Sequence, residues 1–313
     1  MTVQLSAVIC TFNRARLLRD ALDALAAQKL PTAIPWEIVV VDNNSQDTTA
    51  QVVNTFATST ATPVRYVFEP QQGLSHARNR AIRETRGSIL AFTDDDVLPA
   101  PDWLAEIAAA MERWGVHGIG GRILPRWDVP PPSWLARNRT LLDHLAIMDF
   151  ETSQLIRLPM ETGPLVWGAN MAFRRALFDT VGGFDPRRGV SGTSLARGEE
   201  TDLVQRALEH GMTVAYDAGP TVFHRIGIDR MRKAYFRKLA FDDGQARARM
   251  KSARAGRSPF GIPSWLYRAA LTDSWKWLRL ALLGRPEAFG QELAWWSSAG
   301  RLTGYWKAAR LRR

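Results

Sequence analysis

Cysteine is almost missing from this 313-residue chain, where Cys10 stands alone. One thiol excludes an internal disulfide framework and fits a reducing compartment. Cys10 lies within a strand-like apolar run, where an inert buried thiol is the expected state. No uninterrupted apolar stretch is long enough to span a bilayer. No positive charge precedes the first short apolar run, so no secretory signal is read and the cytoplasm is the expected location. No Gly-rich dinucleotide fingerprint and no Gly-Lys-Ser phosphate loop follows either of the first two strands, which argues against a dehydrogenase or a P-loop enzyme. Internal repeats and low-complexity tracts are lacking as well. What remains is a globular composition, 46% hydrophobic and 23% charged, long enough for a large α/β domain with or without an appendage.

Acidic residues thin out toward one end. Residues 1–225 hold 22 Lys+Arg against 25 Asp+Glu, whereas residues 226–313 hold 19 against 6, so the net charge of +10 resides in the last segment. Half of the twelve tryptophans lie there too: Trp265, Trp275, Trp277, Trp295, Trp296 and Trp306. The expected division is a near-neutral body, 1–225, and a basic, Trp-rich helical extension, 226–313.

Hydrophobic patterning places the elements. Residues 3–10 alternate and then run apolar as a strand, which Thr11-Phe12-Asn13-Arg14 breaks. Residues 15–28 carry a helical stripe of Leu18, Leu22 and Leu25. Ile38–Val41 is a second buried strand, closed by the turn formers Asp42-Asn43-Asn44-Ser45, with a helix from about Thr48. Val64–Phe68 is a third strand, a helix runs from Gly73 to near Gly87, and Ile89–Thr93 is a fourth strand. Strands alternating with helices imply a mostly parallel, doubly wound sheet. A loop-rich stretch including Pro130-Pro131-Pro132 is expected next, then a strand over Gly168–Phe173 running into a helix. Gly182–Pro186 is a turn, and the Gly/Ser/Arg-rich residues 187–197 are expected to be mobile. Glu199-Glu200-Thr201-Asp202 heads a helix ending at His210, and two short strands, 213–216 and 221–223, lead to His224.

The most informative feature is Asp94-Asp95-Asp96, directly after the fourth strand. Open parallel sheets bind ligands at the carboxyl ends of their strands. Three like charges there repel one another and call for a positive partner, and a hard divalent cation suits carboxylate oxygens. In extended geometry Asp94 and Asp96 point one way and Asp95 the other, so the outer pair could share a cation with a diphosphate. A solvated surface turn is the plain alternative. Asp42 and the Thr11, Asn13 and Arg14 loop converge on the same crevice, where an acid can accept from a base or ribose while Arg14 and Arg78 pair with phosphate. Against this, Asp42 and Asn44 could be turn formers and caps alone. Glu199, Glu200 and Asp202 suit a helix N-terminus on electrostatic grounds. His224 is either a structural histidine or a third metal ligand.

In order, Thr-Phe-Asn-Arg (11–14), Val-Val-Asp-Asn-Asn-Ser (40–45), Gly-Leu-Ser-His-Ala-Arg-Asn (73–79), Phe-Thr-Asp-Asp-Asp (92–96), Gly-Ala-Asn (168–170), Gly-Gly-Phe-Asp (182–185), Gly-Glu-Glu-Thr-Asp-Leu (198–203) and His224 resemble glycosyltransferase family 2, a family of inverting enzymes with the GT-A fold. The resemblance covers about residues 3–225. It implies an α/β GT-A domain with a nucleotide-binding half, about 1–98, and an acceptor half, about 99–225. Asp42 would contact the base of a nucleoside-diphosphate sugar, UDP-linked as the first choice, with Thr11, Asn13, Arg14, Asn44, Arg78 and Asp95 around base and diphosphate. Asp94 would lie near the ribose, and Asp96, Asp94 and His224 would hold Mn²⁺ or Mg²⁺. Trp167, Gly168, Asn170, Glu199 and Asp202 would line the sugar and acceptor side. Glu200 stands where the family usually has the catalytic Asp of a Glu-Asp pair. Here the pair is Glu-Glu, which leaves Glu200, Glu199 and Asp202 as candidate bases.

The chemistry matches that inventory. An acceptor hydroxyl is a poor nucleophile and needs a carboxylate to take its proton. A nucleoside diphosphate leaves without a general acid, unlike the two-carboxylate arrangement of glycosidases. Residues 187–197 would serve as a lid over the donor. No Gln-x-x-Arg-Trp sequence, associated with processive members, is present, so transfer of a single sugar is expected. A nucleotidyltransferase would share the crevice and acidic site but calls for a Gly-rich phosphate loop. A non-catalytic membrane- or nucleic-acid-binding protein on a degenerate scaffold is the third reading.

Residues 265–283 draw as a helix with Arg268, Thr272, Lys276 and Arg279 on one face and Tyr267, Leu271, Ser274, Leu278 and Ala281 or Leu282 on the other, Trp275 and Trp277 at the borders. Such a helix could lie on an anionic membrane surface through 262–313, or pack its apolar face on the catalytic domain. No specific nucleic-acid module accompanies the basic charge. With the membrane reading, the protein is peripheral on the inner face of the cell membrane and its acceptor is a lipid-linked or other envelope glycan.

Overall fold

Strands buried on both faces belong inside a layered sheet. That pattern holds for β1 (Leu5–Thr11), β2 (Trp36–Asp42) and β4 (Ile89–Asp94), while β3 (Val64–Phe68) is half-buried. The computed structural model describes residues 3–31, 33–136, 138–156, 166–188, 198–252 and 261–310. These four strands pair in parallel in the order β3-β2-β1-β4. Thr11 is level with Asp42, and Cys10 with Asp94, so the carboxyl ends of three strands open on one crevice. The connections are helices α1 (Ala15–Ala26), α2 (Thr49–Ser59) and α3 (Leu74–Glu84). Leu18, Leu22 and Leu25 of α1 are fully buried, the stripe that the sequence predicts. Burial pushes the Cys10 thiol up to about 12, which keeps it unreactive.

The stretch expected to be loop-rich contains regular structure. Strand β5 (Val97–Pro99), helix α4 (Trp103–Trp114) and strand β6 (Gly118–Trp127) follow the Asp triplet. Helix α4 buries Trp103, Leu104, Ile107, Ala110 and Met111 and ends at Gly115 in the left-handed region. Short helices α5 (Ser133–Ala136) and α6 (Arg139–His144) come next, then β7 (Gln154–Ile156), β8 (Met171–Arg174) and α7 (Arg175–Val181). Gly168–Asn170 forms a turn ahead of β8, not part of the strand. Helix α8 (Glu199–Glu209) leads to β9 (Val214–Ile226), one long strand where two short ones were expected. His224 therefore lies within a strand. Beyond β4 the sheet continues β8-β6-β9-β5, with β8 antiparallel to both neighbours and β6 parallel to β9. The lid expected over 187–197 falls, apart from Arg187 and Arg188, outside the described residues.

The chain divides into two compact units, one from described residues of 1–128, 142–192 and 198–226, the other from those of 129–141 and 227–313. The second is helical: α9 (Lys233–Ser252), α10 (Ser264–Leu282) and α11 (Ala288–Arg310). Helices α9 and α11 approach closely at glycine. A Cβ on Gly300 would lie 2.1 Å from the Phe241 carbonyl oxygen, and one on Gly304 2.7 Å from the Ala248 Cβ. No helix among the described residues is long and apolar enough to cross a membrane.

Candidate active site

Where β1 ends, Thr11 donates its hydroxyl to Asp95 Oδ2 at 2.8 Å. Arg14 Nη1 bridges Asp95 Oδ1 at 2.9 Å and Asp96 Oδ2 at 3.0 Å. Strict alternation does not apply to the triplet, because β4 stops at Asp94 and Asp95–Asp96 form the turn into β5. Asp95 is thus not directed away from Asp96; one guanidinium holds both. Burial pushes Asp95 up to about 6, with Arg14 opposing the shift, and burial raises Asp94 as well. Asp95 in turn holds the Arg14 guanidinium firmly charged. A cavity of about 540 Å³ reaches Asp95 and Asp96 from the side of α1, with Asp20, Trp127 and Arg225 among its walls.

Asp42 is a turn former in fact. Its Oδ1 accepts from the Ser45 N–H at 2.9 Å and its Oδ2 from the Tyr66 hydroxyl at 2.8 Å. Asn44, at φ 67°, and Asn13, at φ 53°, both occupy the left-handed region that Asn tolerates better than most residues. Asn13 Oδ1 accepts from the Gln46 N–H at 2.7 Å, tying the β1 and β2 loops together. These contacts fix the loops that follow β1 and β2.

A divalent cation fits one corner of the site. His224 Nε2 faces Asp96 Oδ1 at 3.5 Å, both side chains buried, and Asp94 is close enough for its charge to couple to both. Strand β9 puts His224 there by pairing with Val97, next to the turn, and the Arg225 N–H donates to the Asp96 carbonyl at 2.9 Å. Among the described residues no three acidic, His or Cys side chains enclose an ion by themselves, so the predicted trio is not a closed ligand set. An open carboxylate–imidazole pair is nonetheless what Mg²⁺- or Mn²⁺-type chemistry needs when substrate phosphates complete the shell.

The second half of the crevice is organised by Arg78, which is 2% exposed. Its Nη1 donates to Glu199 Oε1 at 2.7 Å, its Nη2 lies 3.8 Å from Asp94 Oδ1, and the guanidinium sits 5.4 Å from the Phe184 ring centroid. Arg78 is therefore an internal cation between two carboxylates rather than an exposed phosphate clamp. Gly168 permits this, since a Cβ there would lie 2.0 Å from Arg78 Nη2. Glu200, beside Glu199 at the start of α8, is buried, and its Oε1 accepts from the Gly168 N–H at 3.4 Å. Burial and the neighbouring Glu199 push Glu200 up to about 8, despite the opposing charge of Arg78. The Oε2 atoms of both glutamates are buried and accept no hydrogen bond from described residues.

Two predicted acceptor-side residues are used by the fold instead. Asp202 is held by Arg206 at 2.9 Å and Arg188 at 3.2 Å, which removes it from the candidate bases. The Asn170 amide accepts from Trp103 Nε1 and donates to the Arg122 and Pro220 carbonyls, filling the irregularity where β6 pairs with β9. Trp167, half-buried, remains beside the Gly168 turn. Sequence reasoning missed Asn79 and Phe184. Asn79 exchanges hydrogen bonds with the Phe184 backbone, both at 2.8 Å, and so fixes the ring under Arg78. Gly183 leaves room for this, as its Cβ would come 2.3 Å from Asn79 Oδ1. The signal was the Gly-Gly before Phe184.

A mostly parallel α/β sheet with an acidic crevice at its strand ends, opposite a buried carboxyl pair, suits a phosphate-bearing ligand bound together with a cation. The profile of the family described as glycosyl transferase family 2 matches residues 6–182, more than half of the chain. The chain belongs to that family and is a glycosyltransferase, which sets aside both the nucleotidyltransferase and the non-catalytic readings. It is similar to the succinoglycan biosynthesis protein ExoM of Rhizobium meliloti, 24% identical over 256 residues, 81% of this chain and 77% of the relative. Validoxylamine A glucosyltransferase of Streptomyces hygroscopicus subsp. jinggangensis is 39% identical over 242 residues, 68% of this chain but only 54% of that protein. Among solved structures, the mannosyltransferase PcManGT of Pyrobaculum calidifontis, in complex with GDP-Man and Mn²⁺, superposes with a TM-score of 0.65 at 21% identity, over 98% of this chain and 88% of its own. The fold is GT-A.

Proposed function

We propose that the chain transfers one sugar from a nucleoside-diphosphate sugar to an acceptor hydroxyl with inversion, using Glu200 as the base. The observation that carries this is the Glu200 carboxyl: buried, pushed up to about 8, and poised by the Gly168 N–H across from Asp94 and Asp96. A base of that strength exchanges protons near neutral pH, where an Asp or Glu in water does not. Arg78 and Glu199 set its charge environment, and Thr11, Arg14, Asp42 and the Asp triplet form the donor side. Asp96 and His224, with Asp94 beside them, would hold Mn²⁺ or Mg²⁺, which would neutralise charge developing on the leaving diphosphate. A mannosyltransferase of this fold in complex with GDP-Man and Mn²⁺ supports the cation. Solved structures of the same fold in complex with GDP-Man and with UDP-GlcNAc support a nucleoside-diphosphate sugar donor, with UDP-linked sugars as the first choice. The acceptor is a lipid-linked or envelope glycan at the cytoplasmic face of the membrane, met by the half of the body after residue 98.

The test is nucleoside diphosphate release from a panel of UDP-, GDP- and dTDP-sugars, with candidate acceptors, with and without Mn²⁺. One donor should be cleaved, and the product's anomeric configuration, read by NMR, should be inverted. Glu200→Gln should retain donor affinity and lose transfer. Retained configuration, or transfer undiminished in Glu200→Gln, removes Glu200 from the role of base.

A further inference from the structure

Helix α10 packs through its less apolar side. Leu266 is buried, the Trp277 ring lies 5.8 Å from that of Trp295 on α11, and Asp273 accepts from Ser298 Oγ at 2.7 Å and Gln291 Nε2 at 3.2 Å. At 100° per residue the opposite face carries Leu271, Trp275, Leu278 and Leu282, four residues within an arc of about 60°. They are 72%, 61%, 54% and 87% exposed. Trp275 thus belongs to the apolar stripe, while Trp277, expected at the other border, turns inward. Among the described residues nothing packs over the stripe. A contiguous exposed apolar row of this kind marks an interaction surface.

Charge identifies the partner. Arg268 and Arg279 both lie along the Trp275 border of the stripe, Lys276 and Arg285 lie nearby, and the Arg279 guanidinium rests 5.5 Å from the Trp275 ring centroid. Asp273 is the sole acid between Ser264 and Arg285, and it points into the bundle. The whole segment 226–313 carries 19 basic against 6 acidic residues. We propose that this face of α10 docks on an anionic lipid surface, with Leu271, Leu278 and Leu282 entering the acyl boundary, Trp275 at headgroup level, and the arginines on lipid phosphates. A second copy of the chain suits the face less well. An antiparallel two-fold contact along this stripe would bring the Arg268 and Arg279 border of one copy against the same border of the other. The inference stands on the exposed face of α10 and does not depend on the chemistry assigned to Glu200.

The experiment is co-sedimentation of the full chain with vesicles of phosphatidylcholine alone and of phosphatidylcholine with phosphatidylglycerol. Binding is expected to the anionic vesicles and to weaken with salt. Leu271→Glu with Leu278→Glu should lower the partition coefficient at least ~10-fold. Arg268→Glu with Arg279→Glu should lower it by roughly 5-fold per cation removed, or more. Both pairs are exposed, so circular dichroism and melting should match the parent chain. As a second readout on the folded parent, brominated lipids should quench tryptophan emission, and less so in Trp275→Phe. Equal binding to both vesicle types, equal binding of the Leu271/Leu278 variant, or no binding at all overturns the proposal. So does a chain that is dimeric in light scattering and monomeric with Leu271→Glu, which would assign the face to a second copy.

Discussion

Replacing Arg78 with methionine tests the internal cation directly. Arg78 and Glu199 are each 3% exposed in their side chains and meet at 2.7 Å. Removing one partner leaves a carboxylate buried without compensation, which typically costs about 3–5 kcal/mol. The Phe184 stacking adds ~1 kcal/mol more. With a urea slope of about 2–3 kcal/mol/M, the unfolding midpoint of the catalytic unit should fall by roughly 1.3–3 M. Replacing both partners, Arg78→Met with Glu199→Met, should recover most of that loss, because two apolar side chains of similar volume leave no orphaned charge. The same single variant has a chemical consequence. Arg78 opposes the upward shift of Glu200, so without it the rise of rate with pH should move to higher pH in whatever activity remains. A single variant within about 1 kcal/mol of the parent would show that the pair does not carry the local charge balance. A double variant no more stable than the single one would refute the reasoning equally well.

The pH profile is a second outcome. If Glu200 is the base, kcat/KM should climb about tenfold per unit as pH rises toward about 8 and then level off; a flat profile between pH 6 and 8 would exclude a base of this character. The linked stability effect has the opposite direction: a carboxyl raised from 4.5 to about 8 on folding favours the native state when protonated. Its contribution is complete below about 4.5 and lost as pH rises through about 8, so Glu200→Gln should flatten that decline in melts taken across the range. Gly168→Ala forces a Cβ to 2.0 Å from Arg78 Nη2, so transfer should drop at least ~100-fold while the far-ultraviolet spectrum is kept; unchanged turnover would mean that Arg78 can move at no functional cost. Asp96→Ala should remove the Mn²⁺-dependent part of donor affinity in calorimetry, and an unchanged Mn²⁺ response would take Asp96 out of the cation site.

The parallel half of the sheet was legible because its signals are local. Uninterrupted apolar runs such as Ile38–Val41, turn formers after them and the Leu18/Leu22/Leu25 stripe need no distant partner to be read. Helix α4 was missed: its buried stripe between Asp102 and Gly115 is as local a signal as that of α1, but the proline-rich residues after it drew the whole stretch toward loop. Other features depend on remote partners. Asn170 resembles a ligand residue until Trp103 and Pro220 are seen on its amide, and Asp202 resembles a base until Arg188 and Arg206 are seen on its carboxylate. The direction of Asp95 depended on where β4 stops, and alternation carries no information past a strand end. Likewise the inward turn of Trp277 follows from the position of Trp295, which periodicity within α10 cannot supply.

Both halves of the crevice are fixed from a single turn. Thr93, one residue before Asp94, donates its hydroxyl to the Ala169 carbonyl at 3.0 Å, and the adjacent Gly168 N–H donates to Glu200. The same glycine bears on Arg78, which reaches Asp94 on one side and Glu199 on the other. A displacement of the 168–170 turn would therefore move Asp94, Arg78 and Glu200 together. Asn170 locks that turn from beneath through Trp103 and the β6–β9 irregularity, which gives its buried amide a function even though it is turned away from the site. Reacting groups set on strand ends and a helix start, braced by one another, hold their geometry better than groups carried on free loops.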